Sequence, residues 1–208
     1  QGGPLVICSP HGVVGIDELD KMHAEDRRSL LSSMEQQVVT KVVAGATLSL
    51  PSQVSIITAA NPKFGEGDES HGIVENINFE AYMLTRFDIV WCSVKTNTIK
   101  KQAIAAKILG LEPITAEQTL KPLLSEGELL QYINYCKKYS PKLTLESKKM
   151  LNEFYQQMSE ITEGEENVIP MTPRELEGLI RLSTARAKLF QKDSVDVDDV
   201  EAIIKLKR

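Results

Sequence analysis

Between Val13 and Met22 the sequence reads VVGIDELDKM: an apolar, β-prone run that ends in two adjacent carboxylates, Asp17 and Glu18, with a third, Asp20, two residues on. A surface loop carries such charge easily. A buried strand does not, unless chemistry requires it. Read as chemistry, the pattern is a Walker B arrangement. The Asp holds Mg²⁺, through water because that ion keeps much of its hydration shell, and the Glu orients and deprotonates the water that attacks a γ-phosphate. Read as structure, Asp and Glu after a strand are common helix-start residues that favour the helix dipole. On this stretch alone the two readings stand level.

The elements around it read as α/β. LVIC (Leu5–Cys8) and GVVGID (Gly12–Asp17) are apolar runs separated by the turn signal SPHG. Leu30, Leu31 and Met34 then recur at helical spacing in AEDRRSLLSSMEQQ. VVTKVVAGATLSL (Val38–Leu50) predicts a β-hairpin turning at Ala44-Gly45. VSIITAA is a strand stopped by Asn61-Pro62, with a polar, Gly-rich loop, KFGEGDESHG, after it. FDIVWCSV (Phe87–Val94) is a further apolar strand; runs this apolar predict burial on both faces, as in a parallel sheet covered by helices.

From about Gly110 the chain reads as helical. EGELLQYINYCKKY sets Leu129, Leu130, Ile133 and Cys136 on one face, and the next helix does the same with Met150, Leu151, Phe154, Met158 and Ile161. TPRELEGLIRL opens with Thr172 as N-cap, Pro173 at the first helical position and Glu175 completing a capping box. A last short helix starts near Asp196 and carries Val200, Ile203 and Ile204. The boundary falls in the linker LGLEPITAEQTLKPLL, giving divisions 1–109 and 110–208.

Composition narrows the class. At 208 residues the chain is one domain or a domain with an appendage. No apolar run approaches the roughly 18 residues of a membrane span, and QGGPLVICSPHG lacks the basic region of a signal peptide, so no membrane is expected. Cys8, Cys92 and Cys136 fit neither a zinc spacing nor a disulfide framework; they read as reduced thiols of an intracellular protein. His11, His23 and His71 do not cluster and take no metal role. A net charge of −5 rules out nucleic-acid binding by bulk charge, leaving only a local basic element.

The motifs downstream of the two carboxylates decide between the readings. GIDELDKM, MEQQ, AANP, LTRFD and TPRELEGLIRLSTARAK occur in this order, and the set resembles the AAA+ ATPase region of the minichromosome maintenance (MCM) replicative helicases across essentially the whole chain. The resemblance implies a partial AAA+ (P-loop NTPase-type) αβα core and, after it, an all-helical lid. It implies ATP and Mg²⁺ as cofactors and single-stranded or forked DNA as partner. It also implies other MCM subunits in a ring, a hexamer, placed in the nucleus or, in an archaeon, the nucleoid. By position, Asp17 matches the Mg²⁺ ligand and Glu18 the catalytic base. Asn61 matches sensor 1, where an amide donor and acceptor holds the attacking water or the γ-phosphate. Arg86 matches the arginine finger, and Arg174 matches sensor 2; both act on a neighbouring subunit's nucleotide. Without the resemblance, Asn61 is an Asn-Pro turn, Arg86 a solvated arginine, and Arg174 a first-turn arginine mildly disfavoured by the helix dipole.

Three departures from the family pattern matter. The hairpin's usual lysine is Val43 here, with Lys41 two residues earlier as the substitute, and Gln53 and Glu66 stand where Arg is common. Each change removes positive charge that would contact phosphate. No stretch reads G-x-x-x-x-G-K-[ST], so this chain alone is not expected to hold or hydrolyse ATP. In the AAA+ sheet order five-one-four-three-two, the chain supplies strands three, four and five. A gap is therefore expected between four and five, where strand one lies. The alternative function is a non-catalytic MCM-like ring subunit. A chelatase motor or a transcriptional activator shares the fold but matches the motifs less closely.

Overall fold

The structure, a computed structural model, describes residues 3–43, 45–63, 65, 67, 73–77, 79, 81–93, 102, 105–106, 108–111, 122–164 and 168–207. They fall into two units, Gln1–Ser93 with Gly164–Pro170, and Val94–Glu163 with Met171–Arg208. The linker expected over 109–124 lies, for residues 112–121, outside the described residues.

The first unit is built on a parallel pair. β1 (Val13–Ile16) runs beside β4 (Ser55–Thr58), with Val13 opposite Ser55 and Ile16 opposite Thr58. The ladder extends past the strand ends, through Ala59 N–H to Ile16 O and Leu19 N–H to Ala59 O. Before it stands a short helical turn, α1 (Pro4–Ile7), started by Pro4. After β1, α2 (Ala24–Gln36) obeys the predicted periodicity. Glu25 and Asp26 sit in its first turn, and Gln37 ends it in the left-handed conformation, φ 55°. Leu30 and Leu31 of α2 meet Leu19, Phe79 and the residues Met83 and Leu84 of α4 (Ala81–Leu84) in one core; α3 (Ile73–Asn76) precedes it. The hairpin forms as expected. β2 (Val38–Val43) pairs antiparallel with β3 (Ala46–Pro51), and Gly45, at φ 83°, supplies the turn conformation that only glycine adopts without strain.

Two expectations for this unit are corrected. The strands were expected to be buried on both faces, but among the described residues only one face is covered. Val14 is buried, whereas Val13 and Ile57 are 60% and 67% exposed. The described helices and their core side chains cover that one face alone. FDIVWCSV was expected to be a strand, but residues 87–93 take no regular structure, and Trp91 is 79% exposed. A strand is held by a ladder neighbour. A cleft of about 340 Å³ is lined by Thr58–Pro62 on one side and by Phe87 and Ile89–Ser93 on the other.

The second unit is helical: α5 (Glu126–Cys136), α6 (Leu145–Thr162), α7 (Pro173–Leu189) and α8 (Val197–Lys207). One departure from an all-helical lid is a two-residue parallel pairing of β5 (Lys142–Leu143) with β6 (Ser194–Val195), which clips together the chain entering α6 and α8. Leu151, Leu179, Ala187, Val195, Val200 and Ile203 form the core. Thr144 caps α6 by accepting from Ser147 N–H. The predicted apolar face of α5 is corrected: Cys136 is buried, but Leu129, Leu130 and Ile133 remain exposed. The described contacts of α5 to α7 lie at its C-terminal half, where Tyr132 Oη donates to Leu189 O.

Candidate active site

Asp17 and Glu18 come directly after β1, at the carboxyl edge of the parallel pair, the edge where ligands bind in open α/β sheets. Glu18 is not a glycine, yet it takes a left-handed conformation, φ 52° and ψ 42°. That turn leaves both carboxylates exposed and drops the next residue, Leu19, into the core. Residues held in sparsely populated backbone regions cluster at functional sites because the cost of holding them there is met by the surrounding structure. Asp17 Oδ1 accepts from the Glu18 N–H at 2.8 Å. Lys21 donates to Glu18 Oε1, and that hydrogen bond, with the Glu18 charge, holds the Lys21 ammonium above its ordinary value.

Asn61 lies three residues beyond β4 at the same edge. Its backbone N–H donates to Asp20 Oδ1 at 3.0 Å, and this bond, helped by the Asn61 side chain, keeps the Asp20 carboxyl below the usual range. Asp20 therefore ties the end of β1 to the end of β4. Sequence reasoning assigns Asp20 no role; its only signal is its place as the third carboxylate of DELD. The donor set of Asp17, Glu18 and Asn61 is all hard oxygen with few carboxylates, which suits a Mg²⁺ that takes one or two carboxylates and leaves its other positions to water and phosphate.

Arg86 stands just past α4. One guanidinium nitrogen, Nη2, donates to Glu35 Oε2 at 2.8 Å, and the other, Nη1, donates to Tyr82 O at 3.1 Å. The arginine side chain is only 16% exposed, so the residue expected to reach a neighbour is held within its own unit. Its Nε–H is buried with no hydrogen-bond partner among the described residues.

Arg174 lies in the other unit, exposed in the first turn of α7. The capping box expected at the start of that helix does not form. Thr172 makes no side-chain cap, and the buried Glu175 pairs with Lys207 of α8 instead. A buried carboxylate gains more from a cation than from one backbone N–H. On the hairpin, Lys41 is exposed opposite Leu48, and Val43 closes the ladder opposite Ala46. Glu66 and His71 lie outside the described residues.

Comparison with known proteins matches residues 1–112 to the MCM P-loop domain and residues 127–208 to the MCM AAA-lid domain, an AAA+ type core with its lid. The Minichromosome maintenance protein MCM of Saccharolobus solfataricus is 34% identical over 210 residues, covering 100% of this chain and 30% of that protein. The DNA helicase MCM8 of Gallus gallus is 31% identical over 242 residues, covering 99% of this chain and 29% of that protein. The DNA replication licensing factor Mcm6 of Drosophila pseudoobscura pseudoobscura is 34% identical over 192 residues, covering 91% of this chain and 23% of that protein. The chain thus spans under a third of the length of these relatives. Among the described residues, no helix is long and apolar enough to cross a membrane.

Proposed function

The chain belongs to the MCM family, and on that premise we propose that it contributes the carboxylate half of an ATP-hydrolysing site to an MCM-type DNA helicase ring. In this reading residues 1–109 are the AAA+ core and 110–208 the lid. Asp17 holds Mg²⁺ through water, Glu18 takes the proton of the attacking water, and Asn61 orients that water or the γ-phosphate. Arg86 and Arg174 serve the nucleotide of the neighbouring subunit. Bound ATP with Mg²⁺ supplies the transferable phosphoryl group and the cation that screens its charge. No phosphate-binding loop occurs in these 208 residues, so the reading requires that loop from outside this stretch. The hairpin contacts single-stranded or forked DNA through Lys41, with a weak phosphate grip because Val43 brings no charge.

The observation that carries the proposal is the geometry at the end of β1. A left-handed Glu18 turns two carboxylates outward beside Asn61, which Asp20 fastens to the same edge. The test is Glu18→Gln in the full-length assembled protein. ATP should still bind, and hydrolysis should fall by about 10²–10⁴, the range of a lost general base. Hydrolysis within a few-fold of the unmodified protein removes Glu18 from this role. A second reading, a ring subunit with no ATP site of its own, is favoured by the lack of a phosphate-binding loop in these residues and by the uncharged Val43 at the hairpin. Stimulation of ATP hydrolysis by DNA separates the two, since only the first reading expects Glu18→Gln to abolish it.

A further inference from the structure

Arg86 is not simply near Glu35; it is built into the base of the hairpin. Glu35 sits in the last turn of α2, separated from β2 by Gln36 and Gln37 alone. That turn and the hairpin's return strand are joined twice. Ser33 and Ser52 share a buried hydroxyl hydrogen bond of 2.6 Å, and Ser52 N–H donates to Gln37 O at 2.8 Å. A carboxylate in a last turn opposes the helix dipole. Glu35 takes the guanidinium in an N⁺–H···O⁻ contact of the strong, charge-assisted kind. Tyr82 O, on α4, holds the second nitrogen. The grip is incomplete, because the Nε–H is buried without a partner among the described residues, and an orphaned donor in a native structure calls for an explanation.

We propose that Glu35 is the positioning residue for Arg86. It sets where the guanidinium stands and links it, through the last turn of α2, to the base of the Val38–Pro51 hairpin. The inference rests on reading Arg86 as the residue that acts on a neighbour's nucleotide. When the guanidinium meets a phosphate, its Nη2 stays on Glu35. The guanidinium N–H groups that Glu35 does not hold then face the phosphate, and the unpartnered Nε–H gains an acceptor. The hairpin's state on DNA and the arginine's reach thereby become one variable.

The experiment compares Glu35→Ala, Glu35→Gln and Arg86→Ala, and the double variant, in the full-length assembled protein, with and without single-stranded DNA. Glu35→Ala should lower kcat for ATP about ten- to a hundredfold, the range of one lost charge-assisted hydrogen bond acting on a transition-state group. It should leave KM nearly unchanged and flatten the stimulation by DNA. Glu35→Gln keeps an oxygen acceptor at the same reach and should restore most of the rate. In the Arg86→Ala background Glu35→Ala should add nothing. Glu35→Ala with unchanged kcat and unchanged DNA stimulation, whatever its melting temperature, overturns the positioning role while a slow Arg86→Ala leaves the arginine's own role intact. A full-rate Arg86→Ala overturns the reading of Arg86 itself, and the positioning role with it.

Discussion

Two acidic clusters of this chain look alike on paper and differ in how their carboxylates are partnered. Asp17, Glu18 and Asp20 fall within four residues, as do Asp196, Asp198 and Asp199, and each set has a lysine close by. In the second set the carboxylates lie near enough together to suggest a metal site. They are already neutralised. Asp199 is 0% exposed, pairs with Arg186 and with Lys192 Nζ at 3.0 Å, and accepts from the Asp196 N–H at 3.1 Å. Asp198 takes Lys192 at 2.9 Å. In the first set Asp17 and Glu18 are exposed, and Glu18 bears a left-handed backbone. The ion pair of that cluster, Lys21 with Glu18, lies in water, where such a pair contributes little. Carboxylates that hold a fold are buried with their cations. Carboxylates that do chemistry are turned outward on a rigid edge. Spacing does not separate the two kinds; partners do.

The sharpest way to break this contrast is to remove one member of each set and measure unfolding by urea. Asp199→Ala should cost about 3 kcal/mol, the low end for breaking a buried pair, because Arg186 and Lys192 keep access to water. Asp17→Ala should change stability by no more than about 0.5 kcal/mol, as surface substitutions do. Equal costs would erase the distinction between a structural and a functional cluster. The two lysines give a smaller version of the same comparison. Lys192→Ala loses bonds to Asp198 and to the buried Asp199 and should cost about 1–2 kcal/mol. Lys21→Ala loses one exposed pair and should cost less than Lys192→Ala.

The sequence made the positions of helices and hairpin legible wherever periodicity and end signals agreed, as in α2 and the Val38–Pro51 hairpin. It failed where the answer depends on a partner distant in the chain. Thr172 and Glu175 have capping-box spacing, but Lys207, 32 residues on, takes the glutamate. Ser125 and Glu128 have the same spacing with no competing cation among the described residues, and there the box forms: Ser125 accepts from Glu128 N–H while its own N–H donates to Glu128. FDIVWCSV has the composition of a strand but no neighbour to pair with among the described residues. The site was legible through its motifs. What they could not give was Asp20 fastening Asn61 from 41 residues away, or Glu35 holding Arg86 from 51.

The smallest predicted effect is also the most direct probe of how the two clusters are held. Asp20 and Asp198 both titrate below the ordinary carboxylate range, for different reasons. Asp20 is held down chiefly by the Asn61 backbone N–H, Asp198 chiefly by its hydrogen bond from Lys192. A carboxylate whose folded value is depressed adds stability that is fully present above its unfolded value, near 3.9, and is lost as pH falls through the folded value. Below about pH 4 both contributions should therefore fade. The partners respond differently to mutation. Lys192→Ala should move the Asp198 titration up toward the ordinary range, with Arg186 still holding it down in part, read from its side-chain carboxyl carbon shift by NMR. Asn61→Ala should move Asp20 only slightly, because the backbone N–H that holds it survives the change. A large upward shift of Asp20 in Asn61→Ala would mean that the side chain, not the backbone, is its main partner. The Asn61 amide would then be already committed to Asp20, which would leave it unable to hold a nucleotide or its attacking water.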